Sequence, residues 1–316
     1  MTDPDPASDS RGRPDDSRSG PRPLHGVIPI PVTTFDEQGA LDAAGLASQV
    51  DFSVAHGAHG ILYPGVVSEF YTLTDEERHT AVETVVRAVG GRLPVVVGVT
   101  GASTAAAVAF TRHAVGLGVD GVMTMVPFVQ HFFAPSTEYA LRHVTAIAEA
   151  AGVPLILQNA RVGFPLGLSA LGDVVNAVPG VRYVKQESNP PTQDISGVVR
   201  VLGERIDGVF GGMGGVYMVN ELDRGAAGTM PSPAFVDRIV EAYAAYRDVD
   251  AQAAQTVLDP MGSLFTRELL YNVVFHKEVL RRRGVIRSTS VRIASPVLDP
   301  ADLVDLDRLM SAAEVR

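Results

Sequence analysis

The stretch Pro94-Val95-Val96-Val97-Gly98-Val99, followed by Ser103–Gly116 and then Gly121-Val122-Met123-Thr124-Met125, reads as strand, helix, strand. Both outer runs are apolar at nearly every position. They lack the alternation of a strand with one face in water, so both faces are expected to be buried. Ser103 stands where a helix N-cap stands, and Gly116 closes the segment. Two buried strands joined by one helix make a βαβ unit, which requires a parallel sheet.

The same alternation continues on both sides. Strand-like runs occupy Val27–Ile30, Gly60–Tyr63, Pro154–Leu157, Val181–Lys185, Gly208–Phe210 and Ala226–Met230, and helix-like segments occupy Leu41–Ala55, Thr74–Val89, Ser136–Ala151, Leu168–Val178 and Ile195–Leu202. Strand and helix alternating over about 220 residues predict an α/β fold, a (β/α)8 TIM barrel. A doubly wound open sheet is the alternative, disfavoured because no G-x-G-x-x-G follows the first strand. After about residue 232 the strand signal stops. Pro233–Arg247, Ala251–Leu258, Ser263–Arg283 and Asp302–Ala313 read as helices, the first completing the barrel and the rest forming a helical C-terminal extension. Residues 1–24, rich in Pro, Asp, Ser and Arg, are expected to be a disordered tail, because they cannot bury enough surface to offset ordering entropy. The organisation expected is therefore tail 1–24, barrel 25–248 and extension 249–316.

With 46% hydrophobic residues in 316, the chain can build a sizeable core. A net charge of −10 argues against nucleic acid and anionic membrane as partners, since both need a basic face. The absence of cysteine rules out a disulfide framework and a thiolate metal site. No apolar run is long enough to span a membrane and the N-terminus has no apolar signal core, so a cytoplasmic location is expected. The eight histidines show neither H-x-x-x-H nor H-E-x-x-H spacing, and no metal or cofactor is expected.

The chemistry concentrates on one amine. There are two lysines against 24 arginines, and Lys185 closes the strand-like run Val181-Arg182-Tyr183-Val184. A guanidinium supplies charge but cannot attack a carbonyl, so a lysine kept here points to an imine with a keto substrate. In a barrel the active site lies at the C-terminal strand ends, which is where Lys185 falls. Glu187, two residues on, would face the same side of a continuing strand. The second lysine, Lys277, reads as an ordinary helix-surface or helix-packing residue. Gly211-Gly212-Met213-Gly214-Gly215 fits either an anion-binding loop or close approach of substrate to bare backbone.

From Gly26 to Pro296 the chain resembles the dihydrodipicolinate synthase/N-acetylneuraminate lyase family of Schiff-base barrels. The motifs are Gly26-Val27-Ile28-Pro29-Ile30-Pro31-Val32-Thr33-Thr34-Phe35, Gly65-Val66-Val67-Ser68-Glu69-Phe70, Leu73-Thr74-Asp75-Glu76-Glu77-Arg78, Pro94-Val95-Val96-Val97-Gly98 and Val184-Lys185-Gln186-Glu187-Ser188. The resemblance implies that Lys185 forms the imine, that backbone amides around Val67 and Ser68 hold the keto acid's carboxylate, and that the assembly is a homotetramer. Departures are informative. The family's threonine-rich loop reads Val66-Val67, its Y-N-x-P tyrosine reads Gln158-Asn159, a second tyrosine reads Phe128 or Val129, and Arg161 lies too early for the usual arginine.

Glutamine for tyrosine, the Ser68-Glu69 pair, Lys-x-Glu at the sixth strand and Gly284-Val285-Ile286 are similar to the 2-keto-3-deoxy-L-arabonate dehydratase branch. The expected function is a lysine-imine lyase on a 2-keto acid, a dehydratase of a 2-keto-3-deoxy sugar acid. A pyruvate-dependent retro-aldolase on a less polar keto acid is the alternative, and a keto-acid-binding pseudoenzyme is a third. Lys185, Glu187 and Gln158 are the expected catalytic residues. Substrate contacts are expected from Val66, Val67, Ser68, Glu69, Asn159, Gly211 and Gly212.

Overall fold

The computed structural model describes residues 20–127 and 135–316. Eight strands run parallel: β1 (Gly26–Val27), β2 (Ile61–Leu62), β3 (Val95–Gly98), β4 (Gly121–Thr124), β5 (Leu155–Ala160), β6 (Val181–Glu187), β7 (Gly208–Gly211) and β8 (Gly228–Thr229). They are hydrogen-bonded in the order β1-β8-β7-β6-β5-β4-β3-β2. His59 N–H donates to Val27 O (2.8 Å) and Leu62 N–H to Pro29 O (3.1 Å), which ties β2 to β1 and closes the barrel. All eight apolar runs of the sequence are therefore strands, and the sheet is the expected (β/α)8 barrel.

The helices α1 (Ala43–Ala55), α2 (Asp75–Val89), α3 (Thr104–Gly116), α4 (Thr137–Ala151), α5 (Leu168–Ala177), α6 (Pro191–Leu202), α7 (Met218–Asp223) and α8 (Val236–Asp248) surround it. Thr74, Ser103 and Ser136 cap α2, α3 and α4, each side chain accepting an N–H three residues on. The valine run of β3 shows why apolar continuity signals burial on both faces. Val95 and Val97 pack outward against the helices, while Val96 joins Ile28, Met123 and Ile156 inside the barrel.

Four helices follow: α9 (Ala251–Leu258), α10 (Gly262–Tyr271), α11 (Val273–Arg282) and α12 (Pro300–Ala312). The single helix expected over Ser263–Arg283 is instead broken at Asn272, whose backbone (φ 51°, ψ −123°) cannot continue either neighbour. Asn is among the few residues that tolerate positive φ. No described helix is long and apolar enough to cross a membrane.

The N-terminal segment also departs from expectation. Arg22, assigned by composition to the tail, places its guanidinium on Asp120 (2.9 and 2.7 Å). Leu24, 5% exposed, closes the barrel floor beside Met123 and Tyr183. One guanidinium–carboxylate pair and one buried leucine order these residues against their local composition. Residues 1–19 of the expected tail, and the Phe128 and Val129 positions, lie outside the described residues.

Candidate active site

The site begins with a register irregularity. Leu155 of β5 faces Val181, but Ile156 faces Tyr183, so Arg182 is a bulge in β6. Val181 packs outward and Tyr183 inward, so the bulge resets the alternation and turns Lys185 and Glu187 into the barrel mouth. On β5, Gln158 lies opposite Lys185, and Ala160 opposite Glu187.

Lys185 is only 3% exposed, and its Nζ lies 3.1 Å from Glu187 Oε2. The same oxygen accepts Gln158 Nε2–H at 2.7 Å, while Oε1 accepts Met213 N–H at 3.3 Å. Burial alone would raise this carboxyl, but the Lys185 charge, the hydrogen bonds from Gln158 and Lys185, and the Met213 amide outweigh it and hold Glu187 below its ordinary value. Gln158 Oε1 is buried without a hydrogen-bond partner, an acceptor left open at the site. A carboxylate 3.1 Å from the amine is close enough to exchange protons with it or with an atom bonded nearby.

The glycine loop is explained by carboxylates of the protein itself. A Cβ on Gly212 would fall 1.9 Å from Glu187 Oε1, one on Gly211 1.8 Å from Glu221 Oε2, and one on Gly214 2.0 Å from Glu268 Oε1. Three carboxyls thus press against bare backbone, leaving Gly211 and Gly212 as packing partners of Glu221 and Glu187 where substrate contacts were expected. The Glu187 charge there also disfavours the anion-binding reading of the loop.

The other expected residues divide. Val66 and Val67 line a cavity of about 560 Å³ above Lys185, Glu187 and Gln158. Ser68 does not, because its hydroxyl donates to Pro31 O (2.6 Å) and its N–H donates to Gly65 O (3.0 Å). Glu69, expected against the substrate, is swung away by a left-handed backbone (φ 53°) between two 3-10 turns. Its carboxylate takes Lys277 Nζ at 2.6 Å and the N–H groups of Arg292 (2.9 Å) and Ile293 (3.2 Å). Lys277 is a fully buried packing residue, its Nζ also donating to Ser290 O at 2.5 Å. Asn159 points outward by strand alternation. It holds Leu166 N–H (2.7 Å) and O (3.0 Å), fixing the loop after β5 beside a separate cavity of about 310 Å³.

Four polar cavity residues escaped sequence reasoning: Ser232 after β8, and Glu268, Asn272 and His276 from α10, the break and α11. Burial pushes Glu268 up to about 8 and His276 down to about 4. Glu221 was also missed. Burial, then the Glu187 charge, raise it to about 8, and neither of its oxygens finds a hydrogen-bond partner among the described residues. Among the described residues no group of three or more His, Asp or Glu is gathered to hold a metal ion.

A closed (β/α)8 barrel with a buried lysine–carboxylate pair in a cavity at the C-terminal strand ends has the layout of a barrel enzyme. The chain belongs to the dihydrodipicolinate synthetase family, whose model matches residues 23–311, and so to a family of lyases. It is 28% identical over 306 residues to L-2-keto-3-deoxyarabonate dehydratase of Azospirillum brasilense, covering 94% of this chain and 98% of that protein. It is 29% identical over 301 residues to 4-hydroxy-tetrahydrodipicolinate synthase of Methanosphaerula palustris, covering 92% and 98%. A solved prophage protein of the dihydrodipicolinic acid synthase family from E. coli K12, in complex with pyruvate, superposes with a TM-score of 0.83 at 22% identity, covering 93% and 99%.

Proposed function

We propose that the chain is a lysine-imine dehydratase of a 2-keto-3-deoxy sugar acid. The Lys185–Glu187–Gln158 array carries the reading. Lys185 Nζ attacks the C2 carbonyl, water leaves, and the protonated imine becomes an electron sink for the adjacent carbon. C3 is then two bonds from that nitrogen, and Glu187, ionised and 3.1 Å from it, is the base in reach of a C3 proton. Retro-aldol cleavage needs a base on the C4 hydroxyl, and the amide of Gln158 cannot serve as one. Elimination of the C4 hydroxyl needs no such base. The name of the Azospirillum relative supports the same reading. A homotetramer, the common family assembly, is part of the proposal, and light scattering checks it.

A second reading is favoured by the walls. Ile30, Val66, Val67, Val162 and Met230 present apolar surface to the cavity, which suits a less polar keto acid and retro-aldol cleavage. One assay separates them. 2-Keto-3-deoxy-L-arabonate is supplied, and 2-oxoglutarate semialdehyde and pyruvate are both measured. Semialdehyde without pyruvate is the expected result, stoichiometric pyruvate establishes the aldolase, and neither product with tight binding establishes a keto-acid binder.

A further inference from the structure

The cavity has a second polar wall that comes from outside the barrel. Glu268 of α10 lines it at 7% exposure, with one oxygen against the bare backbone of Gly214. His276 of α11 sets Nε2 3.6 Å from Glu268 Oε1 and Nδ1 2.8 Å from Ser232 Oγ. Ser232 Oγ also accepts Ala234 N–H at 3.2 Å. The break at Asn272 is what allows both helices to present a side chain to one cavity. Among the described residues, the titratable and charged groups sharing that cavity with Glu268 are His276, Lys185, Glu187 and Arg161. Glu187 is surrounded by the Lys185 charge and by N–H donors, whereas Glu268 is buried with a neutral imidazole for its neighbour. Two carboxyls in one cavity whose surroundings favour opposite protonation states mark an acid and a base.

We infer that Glu268 is the acid that protonates the leaving C4 hydroxyl, so that the C-terminal extension supplies a catalytic group the barrel itself lacks. This rests on the dehydratase reading above. Glu187 takes the C3 proton of the Lys185 imine, leaving an enamine with its double bond between C2 and C3. The nitrogen lone pair re-forms the C=N bond, the C2–C3 pair moves to C3–C4, and the C4–O bond breaks. The departing oxygen takes the Glu268 proton and leaves as water. Glu268 ends as carboxylate and Glu187 as acid. Glu187 returns its proton to C3 as a C5 proton leaves to solvent, which gives a C4–C5 enol; the enol takes a proton at C4 and loses its hydroxyl proton to become the C5 aldehyde. Hydrolysis of the imine then frees Lys185 and the semialdehyde, and solvent reprotonates Glu268. Because burial raises Glu268 to about 8, the acid is loaded at neutral pH.

Glu268→Gln tests this, since the amide keeps the volume but carries no acidic proton. Three readouts separate the outcomes. Borohydride trapping of pyruvate on Lys185 and exchange of pyruvate methyl hydrogens with deuterated water need no acid at C4, so both are expected within about twofold of wild type and also report that the variant is folded. Loss of water from 2-keto-3-deoxy-L-arabonate is expected to fall at least about 100-fold, with loss of the alkaline limb in the wild-type turnover profile. A 4-fluoro substrate analogue, whose fluoride leaves without protonation, should react at nearly equal rates in both proteins. Wild-type rates of water loss in the variant would overturn the inference while leaving the dehydratase reading intact. Equal slowing of water and fluoride loss, or failed trapping in the variant alone, would assign Glu268 a packing role and overturn it as well. A wild-type protein that traps pyruvate yet never releases water would overturn both readings.

Discussion

Lys277→Met should destabilise the protein strongly. Lys277 and Glu69 are both fully buried and paired at 2.6 Å. Removing one member of a buried ion pair leaves the other charge uncompensated, at a typical cost of about 3–5 kcal/mol. The Arg292 and Ile293 amides stay on Glu69 after the substitution, which places the expected loss at the lower end, about 3 kcal/mol. Against a total stability of roughly 5–15 kcal/mol for a folded domain, that is readily measured by urea denaturation. Lys277→Arg should not rescue, because the compact ammonium fits between Glu69 and Ser290 O under the Phe35 ring and a planar guanidinium does not. Since Glu69 follows the Val66–Ser68 turn directly, the same variants should raise KM for the keto acid. Lys277→Met combined with Glu69→Met removes both charges and should recover at least about 1 kcal/mol relative to additivity. A Lys277→Met protein within about 1 kcal/mol of wild type, or a strictly additive cycle, would refute a stabilising Lys277–Glu69 pair.

Gly212→Ala should push Glu187 off Lys185, since the new Cβ would fall 1.9 Å from its oxygen; turnover should drop by more than about tenfold while trapping on Lys185 persists, as assayed side by side. Glu187→Gln should slow pyruvate methyl exchange at least about 100-fold by NMR, and the wild-type acid limb of that exchange should lie below the usual carboxylate range, because activity needs the ionised form and Glu187 is shifted down. Glu221 is raised to about 8, so the folded state binds its proton more tightly than the unfolded chain, and stability falls as pH climbs from the ordinary carboxylate value to about 8. Glu221→Gln should remove that decline, and at pH 9 be more stable than wild type by on the order of 3 kcal/mol in denaturant titrations.

The barrel was legible because its strands are buried on both faces, so Pro94–Val99 and its counterparts announce themselves as unbroken apolar runs. α7 was not, since six residues after a glycine-rich turn carry too little periodicity to register. In the site, rarity of lysine pointed to Lys185, strand parity to Glu187, and the family resemblance to Gln158. Position just past a strand and family resemblance misled for two residues: the left-handed turn at Glu69 carries its side chain away, and Asn159, one residue from Gln158, necessarily faces the opposite side. Glu268 and His276 were illegible, because only the backbone break at Asn272 and the fold-back of the extension bring them over a mouth built from the barrel strands.

The amine at position 185 is tested most directly by reducing the protein with borohydride in the presence of pyruvate and locating the adduct by peptide mass analysis. A single modified residue is expected, Lys185, with no modification in Lys185→Arg. An adduct on Lys277, or no adduct with any 2-keto acid, would contradict it.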